Sequence, residues 1–206
     1  MKEHPIFARF YERISTALND AGEEEHRIEL VADAEGLVLE LGCGNGLNFA
    51  YYREAARVVA LEPDPHMLGL ARPRAAEAKL PVELIRGAAE ALPFPDGTYD
   101  TVVASLVLCS VRSPSRAAAE IRRVLRPSGQ LRYLEHVRSE GQVAAAVQDV
   151  LAGPWSLFAG GCHPNRDTPA TLRAAGFELQ GRRFPFGPPT PARPHVLGVA
   201  RPPGGG

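Results

Sequence analysis

An apolar run that ends in a carboxylate and enters three glycines at alternate positions constrains this chain more than any other stretch. Leu37-Val38-Leu39 leads into Glu40-Leu41-Gly42-Cys43-Gly44-Asn45-Gly46, and helix-compatible residues follow from Leu47 to Phe49. The pattern predicts a strand, a sharp turn and a helix start, the first βα unit of a doubly wound sheet. Glycine is needed where a chain turns tightly and a ligand touches its backbone, because a Cβ blocks both. A helix start leaves N–H groups free to face an anionic ligand.

Two details narrow the ligand. A dinucleotide fingerprint reads G-x-G-x-x-G, whereas here Leu47 directly follows the third glycine. Glu40, just before the first glycine, suits an ammonium group and repels a pyrophosphate. A second strand over residues 57–61 ends at Glu62, where a carboxylate can accept both hydroxyls of a ribose. Ammonium, carboxylate, ribose and adenine together describe S-adenosylmethionine, whose demethylated product is S-adenosylhomocysteine.

Glu40-Leu41-Gly42-Cys43-Gly44-Asn45-Gly46 resembles the first motif of class I S-adenosylmethionine-dependent methyltransferases. Val59-Ala60-Leu61-Glu62-Pro63-Asp64 resembles their second motif, and Gly87-Ala88-Ala89-Glu90-Ala91-Leu92-Pro93-Phe94 their third. Asp96-Gly97-Thr98-Tyr99-Asp100 and Val124-Leu125-Arg126-Pro127-Ser128-Gly129 complete the set. The resemblance implies a seven-stranded Rossmann-like α/β sheet, mostly parallel with an antiparallel last strand. Helices cover both faces, and a helical, aromatic lid lies over the site. It implies cofactor contacts at Glu40, Gly42, Cys43, Gly44, Asn48, Glu62, Pro63 and Met67. Ser105 and Leu106 join them at the end of the fourth strand. Family members commonly carry Asp where Ala88 stands here, which leaves Ala89 and Glu90 as the adenine contacts.

The pass along the chain supports one domain over residues 1–201. N-terminal helices and lid take residues 1–35, with Phe7 and Tyr11 as contacts, and the cofactor core takes 36–137. The first helix is expected to run from Phe49 to residue 56. Residues 138–167 leave the regular alternation and are expected to roof the acceptor pocket with Trp155 and Phe158. A helix and an antiparallel strand pair fill 168–201, and residues 202–206 are a disordered tail. The formal net charge of −1 gives no footprint for nucleic acid. No run is long and apolar enough to span a bilayer and no signal peptide opens the chain, so a cytoplasmic enzyme, monomeric or homodimeric, is expected. Cys43, Cys109 and Cys162 are widely separated and odd in number, which reads as neither a disulfide framework nor a metal site.

Several further segments resemble the mammalian alkyl thiol methyltransferases: Ala104–Val111, which holds Cys109, Glu135-His136-Val137, Gly161-Cys162-His163 and Arg193-Pro194-His195. The opening His4-Pro5-Ile6-Phe7 resembles soluble bacterial relatives instead. The resemblance implies a small-molecule acceptor with a thiol sulfur, and His136, His163 and His195 are the candidate bases. A thiol needs only modest help to lose its proton near neutral pH. An amine, a hydroxyl, a quinone ring or a lipid head group remains an alternative acceptor on this scaffold. A non-catalytic S-adenosylmethionine binder is the alternative of another class.

Overall fold

The computed structural model describes residues 5–204, with side chains from residue 10 onward. Two helices, α1 (Pro5–Leu18) and α2 (Glu24–Val31), precede β1 (Gly36–Leu41). There follow β2 (Ala55–Glu62), α3 (Pro65–Glu77), β3 (Val82–Arg86), β4 (Tyr99–Ser105) and α4 (Pro114–Val124). The chain closes with β5 (Leu125–His136), α5 (Gln142–Phe158), α6 (Thr168–Ala174), β6 (Glu178–Pro185) and β7 (Pro194–Arg201). The seven strands lie in the order β3-β2-β1-β4-β5-β7-β6. β7 runs antiparallel to both of its neighbours, while β1 to β5 pair in parallel. This is the expected sheet.

Both faces of the central strands are buried, as a parallel sheet requires. Leu39, Val59, Val102 and Leu131 point to one side, where Ala117, Ile121 and Val124 of α4 and Leu172 of α6 cover them. Val38, Val58, Val103 and Leu134 point to the other, under Leu30 and Val31 of α2 and Leu68 and Ala71 of α3. Side chains cap the starts of α3 and α4. Asp64 accepts from the backbone N–H of His66 ahead of α3, and Ser113 accepts from that of Arg116 ahead of α4.

One expected element is shorter. The helix placed over residues 49–56 is a single 3-10 turn, Leu47–Tyr51, because β2 already begins at Ala55. With five residues it has no N-terminus able to hold an anion, and α2 packs against it. The crossover from β1 to β2 is instead pinned by Tyr52, whose hydroxyl donates to Glu40 at 2.8 Å.

At the carboxyl edge of the sheet the chain leaves β4 through Leu106, whose φ is 59°. That left-handed conformation is costly for a branched side chain. Glu135 near the end of β5 holds the turn. Its Oε1 accepts from the N–H groups of Val107 (2.9 Å) and Leu108 (2.8 Å), and its Oε2 from that of Cys109 (3.0 Å). The carboxylate is fully buried. Glu135→Gln keeps one acceptor oxygen and sets an NH2 group against the Cys109 N–H. Denaturant unfolding should show a loss of about 2–3 kcal/mol, the scale for a buried donor opposed and a charged acceptor removed.

Candidate functional site

The glycine turn sits at the carboxyl edge between β1 and β2. Gly42 and Gly44 have φ of 56° and 57°, and a Cβ on Gly42 would stand 2.7 Å from Val107 Cγ2. The space above Gly44 is bounded by Met67 Cε and Tyr11 Cε1, 3.4 and 3.8 Å from where a Cβ would be. Glu62 ends β2 beside this turn. Its Oε2 accepts from Gly44 N–H at 3.0 Å and its Oε1 from Asp64 N–H at 2.9 Å. A carboxylate has about four lone-pair directions, so roughly two remain for a ligand. Burial raises its pKa to about 6, although both backbone donors oppose the rise.

A polar layer lies under the turn. Glu40 is 1 % exposed, and its two oxygens are taken by Asn48 Nδ2 at 2.9 Å and by Tyr52. Asn48 Oδ1 in turn accepts from Arg27 Nη1 at 3.1 Å, and Arg27 pairs with Glu23 at 3.1 Å. Arg27 Nη1 also approaches Ser105 Oγ at 3.5 Å. Arg27 is buried, and its Nε has no hydrogen-bond partner among the described residues. Glu40 therefore lies one layer below the turn, and Asn48 is the group in contact with it. Arg27 and Glu23 escaped the sequence reading because neither α2 nor the turn before it carries a motif. A buried Arg with an unsatisfied nitrogen is visible only in three dimensions.

The second half of the edge brings three separated segments together. Cys109 follows the Glu135-held turn, His136 ends β5, and Cys162 lies in the loop after α5. His136 Nδ1 is 3.3 Å from Cys162 Sγ and 3.7 Å from Cys109 Sγ. Burial opposes the charged form of His136, yet the Cys109 sulfur and the Glu135 carboxylate outweigh it and raise its pKa. His195 of β7 pairs with His136 across the strands, with ring centroids 4.6 Å apart. Burial, then the neighbouring His136, lowers the pKa of His195 to about 4. His163 sits beside the group, its backbone N–H donating to Cys109 O at 2.8 Å and its Nδ1 donating to Gly161 O at 2.7 Å.

The remaining expected residues divide. Tyr11 is half-buried over the turn, whereas the side chain of Phe7 lies outside the described residues. Cys43 is buried with the core under the turn. Ala89 is buried in the core on the other face of the sheet, and Pro63 is half-buried. Glu90 is engaged in structure: its Oε1 accepts from Arg112 N–H at 2.8 Å and ties the third motif to the start of α4. Trp155 is half-buried, but Phe158 at the end of α5 is 77 % exposed and stands in solvent, not over the site. Other apolar side chains of α5, Val143, Val150 and Leu157 among them, also lie largely in solvent. The sequence reading gave the cysteines no shared site, yet the fold brings Cys109 and Cys162 to one imidazole while Cys43 lies in the core. Spacing along the chain carried no information about the meeting of Cys109 with Cys162.

Comparison with known proteins agrees with this geometry. A family described as a methyltransferase domain matches residues 39–133. The human thiol S-methyltransferase TMT1B is 38 % identical over 193 residues, covering 86 % of this chain and 78 % of that protein. Human thiol S-methyltransferase TMT1A is 36 % identical, covering 79 % of this chain and 69 % of the relative. The phosphatidylethanolamine N-methyltransferase of Cereibacter sphaeroides is 37 % identical over a shorter stretch, 57 % of this chain and 59 % of its own. Among solved structures, the YcgJ protein of Bacillus subtilis superposes with a TM-score of 0.70 at 19 % identity, covering 87 % of this chain and all of that one.

Burial, ahead of the opposing hydrogen bonds from Tyr52 and Asn48, raises the pKa of Glu40 from 4.5 to about 7. An acid whose folded pKa lies above its unfolded one holds more protons when folded, so stability falls as pH rises from about 4.5 to about 7. Glu40→Gln keeps the acceptor for Asn48, and the Tyr52 hydroxyl can turn to accept from the new amide. Unfolding curves across this window should lose the slope, with the variant gaining up to about 3 kcal/mol on the parent above pH 7.

Proposed function

This chain belongs to the methyltransferase domain family, and on that premise we propose that it transfers a methyl group from S-adenosylmethionine to the sulfur of a small thiol. When bound, S-adenosylmethionine supplies a methyl carbon on a positively charged sulfur, open to direct in-line displacement.

The residues of the turn suit that cofactor. The observation that carries the reading is Glu62, a buried carboxylate bound through one oxygen to the glycine turn, with acceptor capacity left for two adjacent ribose hydroxyls. Gly44 leaves room for the methionine part to lie against backbone. The unpartnered Arg27 Nε, buried beside Asn48 and Ser105, suits a carboxylate. Asn48, oriented by Glu40, is placed to meet an ammonium. Met67 bounds the turn where an adenine face would rest.

The choice of sulfur rests on the likeness to proteins named thiol S-methyltransferases and on the chemistry of the neighbouring edge. Displacement at a sulfonium needs no covalent enzyme intermediate, so the chain's task is to bring the acceptor in, exclude water and remove one proton. A thiol sheds that proton near neutral pH, and imidazoles stand at the edge where it would lie.

Calorimetry tests the cofactor site. Gly44→Val should abolish S-adenosylmethionine binding in a folded protein, and Glu62→Ala should weaken it by about 1.5–3 kcal/mol. Affinity in the parent should rise with pH through about 6, since the ionised Glu62 is the better acceptor, and Glu62→Gln should flatten that rise. Unchanged affinity in both Gly44→Val and Glu62→Ala would remove the turn from the reading.

The acceptor is tested by supplying purified protein with alkyl thiols, amines, phenols and quinols and measuring methylated products by mass spectrometry. Thioethers should form readily, with kcat/KM rising with pH as the thiol ionises. Turnover confined to amines or phenols would displace the thiol reading while leaving the methyltransferase in place.

A further inference from the structure

We propose that Cys109, His136 and Cys162 form a binding site for a soft divalent cation, Zn2+ foremost, with a fourth coordination position open to the acceptor thiol. The part concerning the acceptor rests on the thiol reading above. The three-residue site stands without it.

The geometry is that of a cation's ligand set. The two sulfurs and one imidazole nitrogen all lie within 4.8 Å of one another. Bond lengths of about 2.3 Å to sulfur and 2.0–2.1 Å to nitrogen put N and S roughly 3.5–3.6 Å apart around a tetrahedral zinc. The observed N···S separations are 3.3 and 3.7 Å, on either side of that value. Two thiolates with an imidazole select zinc and its softer neighbours over Mg2+ or Ca2+, which take oxygen.

Each ligand is fixed by bonds that do not involve the others. Glu135 takes the N–H of Cys109, and the N–H of His163 holds its carbonyl. Arg166 Nη1 secures the preceding carbonyl, Leu108 O, at 2.8 Å. His136 is the last paired residue of β5, opposite His195. The N–H of Cys162 donates to Ala159 O at 3.0 Å where α5 ends. Ser110 Oγ lies 3.5 Å from Cys109 Sγ, close enough to bring a hydroxyl proton toward a thiolate. Such support lowers the cost of gathering ligands, because the chain has already ordered them.

Three ligands are one fewer than a closed structural site uses, and three plus an exchangeable position is the arrangement of a catalytic zinc. Among the described residues no fourth Cys, His or carboxylate joins the group. The group adjoins the cofactor turn along the same edge, since Val107, whose Cγ2 would stand 2.7 Å from a Cβ on Gly42, is two residues from Cys109. A thiol that takes the fourth position gives its proton to solvent on binding. Its sulfur then supplies the electron pair for the new S–C bond. The old C–S bond breaks with its pair left on S-adenosylhomocysteine, and the neutral thioether departs. In this arrangement the cation, rather than a free His136, lowers the thiol's proton affinity.

The test uses the reduced, chelator-stripped full chain without cofactor or acceptor, titrated with Co2+ as a spectroscopic stand-in for Zn2+. One equivalent should bring up thiolate-to-metal charge transfer and the strong visible bands of tetrahedral cobalt, and Zn2+ should displace both. Zn2+, unlike Mg2+, should raise the thermal midpoint. Cys162→Ser, in a loop, should lose the bands while keeping the parent's circular dichroism. If that variant fails to fold, zinc retained by the parent through gel filtration, one per chain, supports the site in its place. No bands and no retained zinc in folded, reduced protein would overturn the site. A Cys109–Cys162 disulfide in reduced-then-aired protein that takes up no metal would overturn it likewise. Adding 2-mercaptoethanol to the Co2+ form should strengthen the charge-transfer band. An unchanged spectrum would overturn the open position alone. Metal uptake without methylation of any thiol would instead count against the thiol reading, so the two failures are told apart.

Discussion

The carboxyl edge of this sheet depends on the Glu135 carboxylate and the three successive N–H groups it gathers. Charge-assisted bonds to backbone donors are stronger than neutral ones, and burial leaves no water to replace them. The donors belong to the residues directly after Leu106, the only non-glycine described residue with a positive φ. The unfavourable conformation and the carboxylate that compensates it thus form one device. It turns the chain away from β4 and fixes both the ceiling over Gly42, through Val107, and the position of the Cys109 sulfur. One side chain positions the two halves of the site together.

Under the glycine turn the protein places charge where apolar packing would have filled the same space. Glu23, Arg27, Asn48, Glu40 and Tyr52 run as a chain of hydrogen bonds, all with little or no exposure. Burying such groups is costly unless each finds partners, and most here do. What results is orientation. Asn48 is fixed between an acid and a guanidinium, so its amide cannot turn when a ligand arrives. The one group of this hydrogen-bonded chain left without a partner among the described residues is the Arg27 Nε.

Much of the fold was legible because the strands announce themselves in apolar runs and the turns in glycine, proline and capping residues. Glu62 was legible for the same reason, being the first polar residue after a buried strand. The helix after Gly46 was misjudged because residues 49–56 suit a helix locally, while the sheet needs Ala55 as the start of β2. Glu90, an adenine contact by resemblance, also accepts from the Arg112 N–H before α4 through one of its oxygens. The Cys109–His136–Cys162 group could not be read at all. Its members lie on a turn, a strand end and a post-helical loop, and only the topology brings those places together. Nothing in the sequence around Glu135 announces that three amides await it.

The attachment of α5 has a consequence for how anything reaches that group. Only Ala145, Gln148 and Ala152 of this helix are buried, and Val143, Val150 and Leu157 lie largely in solvent. Two side chains tie the helix down: Gln148 Nε2 lies within hydrogen-bond distance of Val137 O, Pro164 O and Pro191 O while its Oε1 accepts from Ser139 N–H, and Asp149 accepts from Arg138 and Asn165. Little apolar area is lost when such an element detaches, so its opening costs far less than unfolding the sheet. Cys162 rides at its end. Access to the buried edge should then follow the opening of this helix, and amide exchange along α5 should outpace that of the buried strand β5.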